Sequence, residues 1–284
     1  MLRPMTADVW SAWSFPPVVL SGVALGALVY GRGLRSLWRR GGRGRVVPPW
    51  RGWCFWGGLA TLLIALVSPV DELGESLFFV HMVQHLLLIM VAAPLVVLGD
   101  PLFVSLWALP ARWRRRIGRA WRSAPPLRAA WAVVSLAPVA WMLHVGGVWV
   151  WHLPALYELA LGSEPIHALE HATFFVTALL FWWVLFAPRG HRAGIGVKVA
   201  YLFAAMLQGA ALGAALTFAR HPWYSSYVAT TGAWGFTPLE DQQLAGLIMW
   251  IPAGLIYLAA LVPLLGHALS TRDERPARVV RLAE

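Results

Sequence analysis

The sequence predicts an all-α protein: a polytopic membrane helix bundle of about seven transmembrane helices, read as one integral domain over residues 1–284. Three observations carry that expectation. Hydrophobic residues make up 59% of the chain and charged ones 13%, with mean hydropathy +0.63, so there is more apolar surface than one water-soluble core could hide. Seven stretches approach the roughly 20 apolar residues needed to cross a bilayer core of about 30 Å. Finally, 21 of the 23 Lys and Arg fall in alternate connections between those stretches.

In chain order the spans are placed at about 16–32, 52–69, 77–98, 129–146, 167–187, 196–218 and 243–266. Seven Arg between Arg32 and Arg51 follow the first span, and seven between Arg112 and Arg128 follow the third. Three Lys or Arg in 188–198 follow the fifth, and four Arg after His267 follow the seventh. By the positive-inside rule these connections are cytoplasmic, which puts the N-terminus outside and the C-terminus in the cytoplasm. The net charge of +10 is therefore a topology signal with attraction to anionic lipid, and no nucleic-acid partner is expected.

The first span lacks the features of a cleavable leader and is expected to remain as a helix. The second contains Cys54, the single cysteine, so no intramolecular disulfide or thiolate cluster can form. Pro94, Pro138 and Pro252 interrupt the third, fourth and seventh spans, where a missing N–H favours a kink. Residues 100–110 are too short to cross and adjoin a basic run, which reads as an inner interfacial segment; residues 149–161 read as an outer interfacial helix. In the sixth span Gly209-x-x-x-Gly213 has the small-residue spacing that lets two helices approach closely. Trp38, Trp50, Trp53, Trp107 and Trp113 mark the inner interface, and Trp149, Trp151, Trp223 and Trp234 the outer.

On this topology seven of nine histidines fall on the outer side: His81, His85, His144, His152, His167, His171 and His221. Only His191 and His267 fall inside. His81/His85 and His167/His171 have i,i+4 spacing, which turns both rings of each pair to one side of a helix. Two such pairs on two helices could give one ion three or four nitrogens. Imidazole inside the hydrocarbon edge is costly unless paired, and neutral imidazole is a common ligand for copper and zinc. His81, His85, His167 and His171 form the expected metal core, with His152, His144 and His221 as contributors or entry ligands. Methionines, Met82 among them, are read as packing rather than as ligands. Glu170 and Asp241 are candidate acceptors behind ligating imidazoles. For Asp241 and its neighbour Glu240, capping of the seventh span is the better reading.

Several blocks together resemble a known family. His81-Met-Val-Gln-His85 followed by Ala93-Pro-Leu-Val-Val-Leu-Gly-Asp-Pro101, then Trp151-His-Leu-Pro154 and His167-x-x-Glu-His171 running into Phe181-Trp-Trp183, are similar to the CtaG family of caa3-type cytochrome c oxidase assembly factors. Phe218-Ala-Arg-His-Pro-Trp-Tyr224 and the block from Leu239 to Pro252 are similar to it too. The resemblance implies a multi-pass protein of the bacterial plasma membrane that handles copper on the outer side and matures the copper-containing oxidase. Its partners would be an oxidase subunit or another copper carrier. An unrelated single-span copper chaperone of the same name works through cysteines, and this chain, with only Cys54, departs from that type.

Four readings compete. A non-catalytic copper-binding assembly factor, taking Cu(I) or Cu(II), is the leading one. A copper transporter would need polar groups continuing inward, and the inner halves of the spans offer few, chiefly Gln208 and His267. A membrane-embedded zinc hydrolase would use Glu170 or Asp241 as base. A b-type cytochrome would need axial histidines from two facing helices, for which His85 and His171 qualify.

Overall fold

The computed structural model describes residues 12–186 and 194–280, with side chains up to residue 266. All its regular structure is helical. The first two spans are α1 (Pro17–Gly41) and α2 (Pro49–Val67), followed by a short α3 (Pro69–Ser76). The third is α4 (Phe78–Leu86), a π-helical turn (Leu87–Ala92) and α5 (Ala93–Leu98). Next come α6 (Pro101–Leu106) and α7 (Ala111–Arg122), then α8 (Pro125–Val134), α9 (Ala137–Trp151) and α10 (Pro154–Leu161). The remaining spans are α11 (Glu164–Phe186), α12 (Ile195–Thr217) and α13 (Pro238–Val280), of which Pro238–Gly266 is apolar enough to cross. Proline opens most of these helices, where its missing N–H costs nothing.

Six of these segments are each long and apolar enough to cross a bilayer, and α8 with α9, bent by 66°, makes a seventh if the bent pair is one broken span. The chain is a multi-pass membrane protein. The expected fourth span, 129–146, differs from the structure because a break at Ser135 and Leu136 divides it; Pro138 sits in the first turn of α9, not within a continuous helix. The expected segment at 100–110 is the short α6, and the basic run beyond it is helical as α7. Pro94 does not break the third span. A proline ring would clash with an α-helical carbonyl four residues back, here that of Met90, and the chain runs through a π turn at this point, Ala93 N bonding to Leu88 O. Trp182 of α11 donates its indole N–H to Ile89 O within this turn at 2.8 Å.

The third span is the centre of the molecule. Its residues are 67% buried against 17% for α1, and they enter all three apolar cores. Ile89, Ala93 and Val97 pack with α9, α11, α12 and α13; Leu88, Ala92 and Val96 pack with α1, α2 and α6; Phe78 and Met82 pack with Tyr157, Leu216, Tyr224 and Tyr227.

The two ends of the bundle differ. At one, basic side chains close helix ends: Arg51 donates to Leu98 O at 3.1 Å, Arg32 to Ala108 O at 3.1 Å and Lys198 to Leu185 O at 2.8 Å. Four of the tryptophans expected at the inner interface, Trp38, Trp50, Trp107 and Trp113, lie under Arg43, Arg51, Arg114 and Arg116 in cation–π contact. At the other end, which carries the histidines, carboxylates and hydroxyls tie the connections together. Glu240 accepts from Thr237 N and Oγ1, both at 2.8 Å, and Glu240 N donates back to Thr237, capping α13. Asp241, fully buried, accepts from the amides of Phe78 and Phe79 at 2.8 and 2.9 Å, so it caps α4 from a different helix. Glu158 accepts from the amides and hydroxyls of Ser225 and Ser226.

The expected Gly209/Gly213 contact is half observed. Gly213 meets Gly246 of α13: a Cβ on Gly213 would lie 2.8 Å from Gly246 O, and one on Gly246 would lie 2.6 Å from Gly213 O and 2.4 Å from Thr217 Oγ1. Gly209 has nothing within 4 Å of such a Cβ. Gly246→Ala is expected to destabilise the detergent-solubilised protein by about 1–3 kcal/mol through overpacking, with Gly209→Ala unchanged, measured as thermal midpoints. Asp241→Ala is expected to cost about 1–2 kcal/mol as a lost cap, and more than the exposed Glu240→Ala.

Candidate metal centre

The i,i+4 pairs meet. In α4, Nε2 of His81 and Nε2 of His85 are 2.9 Å apart, their rings nearly perpendicular at 87°. In α11, the rings of His167 and His171 lie 4.2 Å apart, with Glu170 on the same side of the helix. Between the helices, His81 stacks on His167 at 5.2 Å and His85 lies 5.3 Å from His171. Glu170 Oε1 is 3.9 Å from His85 Nε2. Two donor sets result, His81/His85/His171 and His81/His167/Glu170, each with its ligand atoms within 4.8 Å of one another.

These distances suit a small cation. Two nitrogens each bonded at about 2.0 Å, and 2.9 Å apart, subtend about 93° at the ion, within reach of tetrahedral coordination. The longer pairs would close by up to roughly 1 Å, since two such bonds span at most about 4 Å. His81 and Glu170 are fully buried, His85 and His171 nearly so. His85 Nδ1, His167 Nε2, His171 Nε2 and both oxygens of Glu170 are buried without a hydrogen-bond partner. Each such atom costs about 1–3 kcal/mol of lost hydration. A cation bound among them would offset that cost.

The surroundings hold the rings in place. Gln84, beside His85, donates to Ala65 O at 2.8 Å and to Asp71 at 2.6 Å. Burial pushes the Asp71 carboxyl up from its ordinary value, the bond from Gln84 acting the other way. Tyr157 lies 5.4 Å from the His81 ring and donates to Tyr227 at 2.8 Å, whose hydroxyl donates to Gly74 O at 3.0 Å. None of these polar supports was singled out from the sequence. Their signal there is weak, because Asp71, Gln84 and Tyr227 come together only through the packing of α3, α4 and the connection before α13.

His152 joins the group from the turn after α9. Its ring is 6.2 Å from that of His85, its Nδ1 donates to Val148 O at 2.7 Å and its Nε2 lies 3.5 Å from Met82 Sδ. Burial pushes its imidazole down to about 4, the bond to Val148 O opposing. His144 lies deeper, donating from Nδ1 to Thr177 Oγ1 at 3.1 Å. It borders the same cavity as His85 and His152 without entering either donor set. His221 is exposed and stands apart, its carbonyl accepting from Gln242. Asp241, expected behind an imidazole, has its oxygens on the Phe78 and Phe79 amides and so acts on His81 only by fixing the helix that carries it. His191 and the side chain of His267 lie outside the described residues. The haem reading meets no space: Phe174 and His81 crowd His85 at 4.6 and 4.3 Å, and the adjoining cavity of about 80 Å³ is too small for a porphyrin.

In metal-free protein Glu170→Gln is expected to raise the thermal midpoint, by the equivalent of about 1–2 kcal/mol, because a buried carboxyl without a hydrogen-bond partner, which must either carry charge or take up a proton on folding, is replaced by a neutral amide. A lowered midpoint would show that the carboxylate is already satisfied.

Comparison with known proteins places the chain. It is 28% identical over 300 residues to an uncharacterised protein of Mycobacterium bovis and equally to one of Mycobacterium tuberculosis, and 24% identical over 285 residues to one of Mycobacterium leprae. In each case 96% of this chain is covered but only 43% of the relative, so the chain spans less than half the length of these curated relatives. No solved structure matches. The family described as cytochrome c oxidase caa3 assembly factor (Caa3_CtaG) matches residues 28–270, which include every helix that supplies a histidine to the cluster, and the chain belongs to that family.

Proposed function

We propose that this protein binds copper through the buried imidazole cluster and passes it to a cytochrome c oxidase subunit, or to another copper carrier, in the same bacterial membrane. The observation that carries the reading is the convergence of His81, His85 and His171, with Glu170 alongside, in a member of an oxidase assembly family. The basic end of the bundle would face the cytoplasm by the positive-inside rule, so the cluster would lie near the outer surface, the side on which the family resemblance implies that copper is handled.

Copper is the cargo in this scheme. His81, His85 and His171 would hold it, Glu170 would balance its charge, and His167 would supply an alternative nitrogen to which the ion could shift. A ligand set of imidazoles without thiolate suits exchange, because no single bond is very strong. The role is that of a carrier, with no chemical transformation of a substrate.

One second reading has an observation of its own. A carboxylate with two unpartnered oxygens beside three imidazoles is also how a zinc hydrolase would hold its metal and its general base. Metal analysis separates the two. After Cu(I) loading and desalting, the purified protein is expected to retain near-stoichiometric copper by mass spectrometry, and His85→Ala/His171→Ala to lose it. Zinc retained in preference to copper would favour the hydrolase, and no metal in either protein would overturn both.

A further inference from the structure

A cavity of about 80 Å³ lies between α4, α9, α12 and α13, on the far side of His85 from His81. The chain has seven methionines, and four of them, Met82, Met90, Met206 and Met249, line this one space with His85, His144 and His152. Gap-filling methionines would leave no such space, because a flexible thioether closes irregular voids. Here thioethers from three different spans surround a void instead.

One contact in its wall stands out chemically. His152 Nδ1 donates its hydrogen to Val148 O, so in the neutral ring Nε2 carries a lone pair and no hydrogen. That nitrogen lies 3.5 Å from Met82 Sδ, which is also only an acceptor. Met82 is 1% exposed and His152 4%, so neither atom turns to water. Two acceptors held face to face in a dry site suit a shared cation. With bonds of about 2.0 Å to nitrogen and about 2.3 Å to sulfur, a separation of 3.5 Å subtends about 109° at the ion, the tetrahedral angle.

We propose that this methionine-lined cavity is a second metal site, selective for Cu(I), with Met82 Sδ and His152 Nε2 as its fixed ligands and a further cavity methionine completing the shell. Thioether sulfur favours Cu(I) over Zn(II) and Cu(II), whereas the imidazole and carboxylate cluster accepts all three. The site stands independently of which metal the cluster takes. His144 repeats the tautomer of His152, its Nδ1 engaged by Thr177, which leaves a second Nε2 lone pair in the wall. His85 belongs to both chambers, its Nε2 against His81 and its ring in the cavity wall, so an ion in the methionine site is one ligand exchange from the cluster.

The test is anaerobic titration of the detergent-purified full chain with Cu(I), and in parallel with Zn(II), followed by X-ray absorption at the copper edge. Wild type is expected to take about two equivalents of Cu(I) with copper–sulfur scattering. Met82→Leu, which keeps volume but removes sulfur, should take about one equivalent with nitrogen and oxygen scattering only, its zinc uptake unchanged. His81→Ala/His171→Ala, which dismantles the cluster and leaves the cavity wall intact, should keep the copper–sulfur signal and lose zinc. Selenomethionine-labelled wild type should show copper–selenium scattering, which reports sulfur ligation even if Met82→Leu folds poorly. Copper bound without sulfur or selenium scattering would overturn the methionine site and leave the cluster reading standing. Copper–sulfur scattering that persists unchanged in Met82→Leu would overturn the assignment of Met82.

Discussion

Inside a bilayer a polar group must find its partner within the protein, and the architecture follows from where this chain obeys that constraint. At the basic end it is obeyed by side chains that reach back to freed carbonyls, as Arg51 does to Leu98 and Tyr30 to Gly99. At the opposite end Asp241 satisfies two amides of α4, and the hydroxyls of Tyr224 and Tyr227 close on His152 O and Gly74 O. With both ends secured, the central span is held firmly enough to carry what the constraint otherwise forbids. His81, His85, His171 and Glu170 leave several buried polar atoms unpaired within an otherwise well-satisfied frame. The proposed binding role would account for such a concentrated cost within an otherwise well-satisfied frame.

Much of this was legible in the sequence, and for identifiable reasons. Transmembrane helices announce themselves because a continuous apolar run has no other use, and six of the seven spans match their expected positions within a few residues at most ends. The exceptions are the end of α1, which runs on to Gly41 through residues read as loop, the start of α13, which lies at Pro238 rather than near 243, and the fourth span, which is longer at both ends and bends at Ser135 and Leu136, just before the Pro138 that signalled a kink. The paired histidines were legible because 3.6-residue periodicity alone puts i and i+4 together. That α4 and α11 bring their pairs to one point was not, since the packing depends on Trp182 reaching Ile89 and on small residues such as Ala93 and Ala178.

Where side chains ended up relative to the sequence reading follows one pattern. His221 was grouped with the others by its side of the membrane, and sidedness says nothing of depth; its ring is out at the surface. Met82 was read as packing, and it does sit in an apolar core; the neighbour of its sulfur, His152 of the turn after α9, lies 70 residues away in the chain. Asp241 was expected behind an imidazole or at the start of its own helix, yet it serves the start of another. For Met82 and Asp241 the contact joins segments far apart in the chain, beyond what local periodicity can report.

The π turn at Leu87–Ala92 gives the third span two independent phases. A π turn holds one residue more than the α-helical turn it replaces, and one residue is about 100° of rotation. Residues before it, His81 and His85 among them, are therefore turned by about that angle relative to the α-helical continuation of α5. The face that α5 buries against α2 and α11 and the face that α4 offers to the histidines of α11 need not lie on one line. A single inserted residue thus lets one helix serve as structural axis along half its length and carry the paired histidines along the other, without compromise between the two alignments.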